Sequence, residues 1–174
     1  MDQTTNTGNI NMKIAIAIYA LAMTAANLSI SHFGPWVSPI NSFLFIGLDL
    51  ALRDLLHQRL KAWQMGCLIV GTGLLTYILN PAAGMIAIAS AVSFTAASVV
   101  DWAVFAKLTG TWIKRANGSN IAGAAVDSVV FPTLAFGVLM PQIVAMQFVA
   151  KVTGGAFWAY VISKVKHEQD QTVS

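Results

Sequence analysis

Stretches of about 20 apolar residues recur along this chain, and that recurrence limits its fold more than any other feature. The segments are approximately residues 14–30, 37–52, 64–79, 83–105, 120–139 and 143–163. Each is near the length that an α-helix needs to cross the hydrocarbon core of a bilayer. The connections are short and contain turn-forming pairs such as Asn80-Pro81 and Met140-Pro141. The sequence therefore predicts an all-α, polytopic membrane protein with a bundle of six transmembrane helices.

The composition excludes several other classes of protein. Only 10% of the 174 residues are charged and 56% are hydrophobic, whereas a soluble domain carries about 25% charged residues. This argues against a soluble enzyme and a disordered chain. The single cysteine, Cys67, allows no internal disulfide. The net charge of +3 does not indicate nucleic-acid binding, because the basic residues lie beside apolar segments and form no polar face.

Basic residues occur on one side of the predicted bundle. Nine of the ten lysines and arginines fall before the first segment, after the sixth, or in the second and fourth connections. The positive-inside rule makes that side cytoplasmic, so both termini are predicted to lie inside the cell. We expect cytoplasmic tails at residues 1–12 and 164–174 around a transmembrane domain at 13–163. A cleaved signal peptide is the alternative interpretation of the first segment.

Four ionisable residues lie within or near the ends of the apolar segments, namely Asp49, Asp101, Asp127 and Lys151. A charge at the bilayer centre costs at least about 2.5–3.5 kcal/mol, so such residues usually pair or face a polar cavity. We expect Asp127 and Lys151, which lie deeper, to line a cavity. Two structural interpretations stay open: a local Asp49–Arg53 ion pair, and Asp101 as a helix cap or an anchor for Lys107.

Phenylalanines at helical spacing accompany these charges. Phe45 precedes Asp49 by four residues and Phe131 follows Asp127 by four, so each pair shares a helix face. A carboxylate can accept two adjacent N–H donors and an aromatic ring can stack on a flat ligand. The cavity would therefore suit a planar heterocycle with a guanine-like edge. The chain contains no catalytic triad, phosphate-binding loop or metal motif, so we predict no enzyme activity, no cofactor and no metal site.

Several of these residues form a pattern that resembles a known family. Three segments are similar to segments of the queuosine precursor transporter family, also called the vitamin uptake transporter family. They are Phe45…Asp49-Leu50…Arg53, Asp101…Phe105…Leu108, and Asp127-Ser128…Phe131 with Ala135-Phe136. Asn27 and Lys151 also match, in order and with similar spacing. One departure is Ser98, where the family has a glutamine three residues before the aspartate.

The resemblance implies a six-helix inner-membrane importer of 7-deazaguanine precursors such as 7-cyano-7-deazaguanine. The predicted substrate-binding residues are Asp127, Lys151, Asp49, Asp101, Asn27, Arg53, Phe45 and Phe131. Besides the heterocycle and the lipid bilayer, the partners under consideration are a second copy of the chain and an ATPase module.

Two alternatives to an independent importer stay open. The first is the substrate-binding subunit of an energy-coupling factor vitamin transporter, in which the small residues Ala15, Ala22 and Ala26 would dock a partner helix. The second is a membrane scaffold without transport activity.

Overall fold

The computed structural model describes residues 12–57, 60–110 and 112–171, and this part of the chain is helical without strands. Its α-helices are α1 (Met12–Phe33), α2 (Ser38–Asn41), α3 (Gly47–His57), α4 (Ala62–Leu79), α5 (Gly84–Lys107), α6 (Trp112–Phe136) and α7 (Pro141–Gln171). A π-helical turn, Ser42–Ile46, joins α2 to α3. Short 3₁₀ turns precede α2 at Pro35–Val37 and α5 at Pro81–Ala83. The helical class predicted from the sequence is therefore confirmed.

Four segments are long and apolar enough to cross a membrane, namely Met12–Phe33, Pro35–Leu52, Pro81–Lys107 and Asn117–Phe136. The apolar part of α4, Trp63–Leu79, is shorter than these four. The helix α7 is not among them, and its first half carries the polar residues Gln147 and Lys151. By length and composition alone, the structure therefore supports four spans, and the count of six stays a prediction.

At one end of the bundle, the bounds of the predicted apolar segments lie within three residues of the helix ends. Proline begins a helical segment at Pro35, Pro81 and Pro141, because its missing N–H is harmless in a first turn. Gly34 and Gly137 reverse the chain there with φ angles of 79° and 69°, which favour glycine. We call this end the proline end.

At the opposite end, which we call the basic end, helices continue beyond the apolar segments. The helix α6 begins at Trp112, so Lys114 and Arg115 lie in its first turns, before the apolar span that begins at Asn117. The Arg115 guanidinium donates to the Phe105 carbonyl from Nε (3.1 Å) and from a terminal nitrogen (2.9 Å), and it lies 4.2 Å from the Phe105 ring centre. It thereby satisfies a carbonyl near the end of α5. The helix α7 likewise runs to Gln171, past the predicted boundary at residue 163.

The helices pack around two apolar clusters with a polar layer between them. One cluster contains Tyr19, Met23 and Phe94, and the other contains Ile30 and Phe131. The helices α5 and α6 pack against each other along their length, while α7 packs against α3, the π-helical turn and α6. This arrangement brings α1, α3, α6 and α7 together around the polar layer.

The backbones of α3 and of the π-helical turn approach the backbone of α7 closely. A Cβ atom on Gly47 would lie 2.6 Å from the carbonyl carbon of Gly154, and one on Gly154 would lie 2.5 Å from the Phe43 carbonyl oxygen. Both positions therefore require glycine. Because Gly154 lies three residues after Lys151 in the sequence, this crossing fixes the position of the polar layer.

Candidate functional site

A buried ion pair forms the centre of the polar layer. Lys151 Nζ lies 2.8 Å from Asp127 Oδ2, and Lys151 is only 2% exposed. The ammonium also donates to Gln147 Oε1 at 3.0 Å and to Ser128 Oγ at 3.3 Å. An ammonium has three donors and no acceptor, so these three contacts account for all of its hydrogen-bonding capacity.

The ion pair lies near the middle of the bundle along the helix axes. Lys151 is ten residues from the start of α7 at Pro141, which at 1.5 Å per residue corresponds to about 15 Å. Asp127 is nine residues before the end of α6 at Phe136, or about 13 Å. Half of the hydrocarbon core is also about 15 Å thick. A charge at this distance below a membrane surface would lie near the bilayer centre, where an unpaired charge is most costly.

A cavity adjoins the pair on the side of the proline end, and we call it the central cavity. Its polar lining combines charged, amide and hydroxyl groups from seven helical segments, namely α1, α2, the π-helical turn, α3, α5, α6 and α7. Its lining residues are Met23, Ala26, Asn27, Ile30, Ser38, Asn41, Ser42, Ile46, Asp49, Ser90, Phe94, Asp127, Phe131, Gln147 and Lys151. The free volume is about 30 Å³, which is room for about two water molecules.

The sequence-predicted residues converge on this cavity with three exceptions. Asp127, Lys151, Asp49, Asn27 and Phe131 all line it. Asp101 lines a narrower space on the other side of the ion pair. Phe45 lies in the π-helical turn and lines neither space. The side chain of Arg53 lies outside the described part of the structure, so the predicted Asp49–Arg53 pair does too.

The proposed structural role of Asp101 is not what the structure shows. Among the described residues, Asp101 forms no ion pair with Lys107, and its Oδ1 atom is buried without a hydrogen-bond partner. The carbonyl at the end of α5 is instead satisfied by Arg115. The interpretation of Asp101 as an anchor for Lys107 is therefore wrong.

Sequence reasoning missed a group of uncharged polar residues that close the cavity. Gln147 Nε2 donates to Ser38 Oγ, and Asn41 Nδ2 donates to the Ala26 carbonyl at 3.1 Å and to Ser29 Oγ. These bonds link α7 to α2 and α2 to α1. The sequence does place Gln147 on the same helix face as Lys151, four residues before it, but Gln147 is not among the predicted binding residues. Ser38 and Asn41 carry no such signal.

Chemically, the central cavity combines hydrogen-bond acceptors, one cationic donor and aromatic faces. The carboxylates of Asp49 and Asp127 accept hydrogen bonds, the Lys151 ammonium donates them, and Phe94 and Phe131 present rings. Among the described residues, no group of three metal-binding side chains occurs. This donor and acceptor set can bind a small planar polar molecule.

The comparison with known families agrees with this arrangement. A family model described as "Putative vitamin uptake transporter" matches residues 8–164. The chain belongs to this family. No curated protein and no solved structure matches it. The family description names vitamin uptake, an activity that requires a path for a small molecule through the membrane.

Proposed function

We propose that this protein imports a 7-deazaguanine precursor of queuosine, such as 7-cyano-7-deazaguanine, across the cell inner membrane. The observation that carries the proposal is the convergence of Asp49, Asp127 and Lys151 with two phenylalanines on one buried cavity at mid-depth. Membership of a transporter family supports the activity, and the chemistry of the lining supports the ligand class.

The proposed recognition uses each group according to its hydrogen-bonding character. A carboxylate accepts from the two adjacent N–H donors of the amino-pyrimidone edge. The Lys151 ammonium, which already faces Asp127, donates to the carbonyl or nitrile of the ligand. Phe131 and Phe94 stack on the flat ring system. Substrate then replaces one of the contacts that Lys151 makes within the protein.

The central cavity must widen before it can hold such a ligand. Small-molecule sites have volumes of roughly 300–1,000 Å³, about ten times or more the 30 Å³ that is free here. The Gln147–Ser38 hydrogen bond lies across the cavity and joins α7 to α2. We propose that binding separates these two segments at the proline end, which by the positive-inside rule is the outer side.

An uptake assay tests the proposed function. In cells that lack both precursor synthesis and their own importer, expression should restore queuosine in tRNA when 7-cyano-7-deazaguanine is supplied. Asp127→Ala should abolish this rescue, because it removes the carboxylate from the cavity. The matched control is Val129→Ala on the same helix, where the side chain is 44% exposed and does not line the cavity. Unmodified tRNA despite wild-type protein in the membrane would refute the proposal.

The docking surface that was proposed for a subunit of an energy-coupling factor transporter is buried in this structure. Ala15, Ala22 and Ala26 are 0%, 6% and 2% exposed, because α1 packs them inside the bundle. They are therefore unavailable to a partner helix. Co-purification of the tagged protein with an ATPase module would restore that alternative, and transport by the purified chain in vesicles would exclude it.

A further inference from the structure

A second polar space lies on the other side of the ion pair, towards the basic end. It consists of a narrow fissure and a wider groove that both include Lys151. The fissure is lined by Ile46, Leu50, Ala97, Asp101, Asn120, Gly123, Ala124, Asp127 and Lys151. The groove, which we call the lateral groove, runs between α6 and α7 and has a volume of about 400 Å³. That volume is within the range of small-molecule sites.

The walls of the lateral groove combine amide groups with small side chains. Asn117 and Asn120 lie one turn apart on α6 and both line the groove. Opposite them, α7 presents Gly155, Ala156 and Ala159. The small residues leave the space open, and the amides supply both donors and acceptors. Lys151 forms its inner end.

Unsatisfied polar atoms lie behind Asn120 on α5. Asp101 Oδ1 and Ser98 Oγ are buried and have no hydrogen-bond partner. A Cβ on Gly123 would lie 3.4 Å from Asp101 Cβ and 3.3 Å from the Ala97 carbonyl oxygen, so α5 and α6 approach closely here. A buried acceptor without a partner costs about 1–3 kcal/mol, and an N–H donor that enters the fissure would remove that cost.

The polar groups of the two spaces form a continuous series along the helix axes. Asn27 lies six residues from the proline end of α1, and the ion pair lies at mid-depth. Asn120 lies eight residues from the basic end of α6, at Trp112, or about 12 Å. Polar residues in a membrane bundle usually mark a substrate pathway. Lys151 and Asp127 are the charged residues that line both the central cavity and the fissure.

We propose that the lateral groove and fissure are a second binding station for the transported heterocycle, separated from the central cavity by the Asp127–Lys151 pair. This inference rests on the proposed function. Asn120 and Asp101 bind the amino-pyrimidone edge after the ligand has passed the ion pair, and Asn117 lies further along the exit. The ion pair thus divides one route into two chambers. The contact between Asp127 and Lys151 opens twice during each passage of the substrate.

Thiol labelling tests the second station independently of uptake. In a Cys67→Ser background, Asn120→Cys is exposed to a membrane-impermeant thiol reagent added from either side of sealed vesicles. Lys107→Cys, at the exposed basic end of α5, reports the sidedness. Val129→Cys is the matched control, because it is exposed on α6 but lines neither space. Cys67 must be replaced because it is itself exposed.

The station predicts two results. Asn120→Cys should react from the same side as Lys107→Cys, about tenfold faster than Val129→Cys, because the reacting thiolate forms only in contact with water. Saturating 7-cyano-7-deazaguanine should slow that reaction by about fivefold, since bound ligand occupies the groove.

Other results overturn the station. If Asn120→Cys reacts no faster than Val129→Cys, the groove holds lipid and is no part of the route. If the heterocycle stabilises the wild-type protein thermally but does not slow labelling, it binds in the central cavity alone. Measurements on the wild-type protein distinguish failure of the proposed function. If that function is wrong, the heterocycle neither stabilises the wild-type protein thermally nor is taken up by it. The second station for this ligand would then be rejected as well.

Discussion

The central cavity and the lateral groove share Lys151, but they differ in size and in how their polar groups are used. The central cavity has a free volume of about 30 Å³, and hydrogen bonds such as Gln147 to Ser38 join the helices that surround it. The lateral groove has about 400 Å³, and its amides lie on an exposed surface of α6. The difference shows that hydrogen bonds between buried polar groups accompany the small space, whereas small side chains on α7 leave the larger space open.

The two spaces are also expected to differ in how substitutions affect uptake and stability. Ser38, Asn41 and Gln147 at the central cavity are buried and hydrogen-bonded within the protein, so their removal should lower stability. Polar groups in the lateral groove are exposed, so their removal should lower uptake with little effect on stability. Measurements of both quantities on the same variants test this division.

The largest effect is expected at the ion pair itself. Lys151→Met leaves the Asp127 carboxylate without its cation, and breaking a buried pair in this way costs about 3–5 kcal/mol. We expect a large loss of thermal stability in detergent and uptake at background level. The Asp127→Asn/Lys151→Met double variant is the control, because it removes both charges. It should recover most of the stability without recovering uptake. Equal stability of the single variant and the wild type would contradict a buried pair.

The next effect is expected at the crossing of α3 and α7. Gly154→Ala places a Cβ 2.5 Å from the Phe43 carbonyl oxygen, so the helices must separate at a cost of about 1–3 kcal/mol. Gly155→Ala is the matched control, because its Cβ would meet only Leu50 atoms at 3.6 and 3.8 Å. Thermal unfolding of the two variants measures the difference. If both variants unfold at the same temperature, the crossing does not hold the two spaces in place.

A smaller effect is expected where the central cavity closes. Ser38→Ala removes the acceptor of the buried Gln147 amide, which should cost about 1–3 kcal/mol at most, and less if water replaces the hydroxyl. Thr133→Ala is the control, because the Thr133 hydroxyl donates to the Val129 carbonyl of its own helix. We expect Ser38→Ala to bind the heterocycle at least as tightly as the wild type, since closure is weakened. Weaker binding would show that Ser38 contacts the ligand instead.

The smallest effect on stability is expected in the lateral groove. Asn117 is exposed, so Asn117→Ala should change the free energy of unfolding by less than about 0.5 kcal/mol. Its initial rate of uptake should nevertheless fall, because the variant removes an amide from the exit. Asn117→Gln keeps the amide and should retain more uptake than Asn117→Ala. A stability loss as large as that of Ser38→Ala would remove the distinction between the two spaces.

The sequence predicted the helical bundle and five of the residues that line the central cavity. It did so because both signals are one-dimensional: apolar length sets a helix that can cross a bilayer, and a charge inside an apolar segment must find a polar surrounding. The starts of the helical segments at Pro35, Pro81 and Pro141 could also be predicted from the sequence, because proline restricts the backbone locally.

The basic end was less predictable. In the first turns of α6, the Arg115 guanidinium contacts the Phe105 carbonyl on the preceding helix. The burial of Ala15 and Ala22 depends on which helices surround α1. Both are contacts between elements, and helical periodicity cannot specify them.

What the amino-acid order by itself determined is therefore the class of protein and the presence of inward-facing charge. Only the tertiary structure decided that Asp127 meets Lys151, that Gln147 and Ser38 close one side of the pair, and that Asp101 lies on the other side. The physical reason is that hydropathy acts on each residue separately. A salt bridge or a cavity instead depends on the rotation and spacing of whole helices, which here are fixed by backbone contact at Gly47 and Gly154.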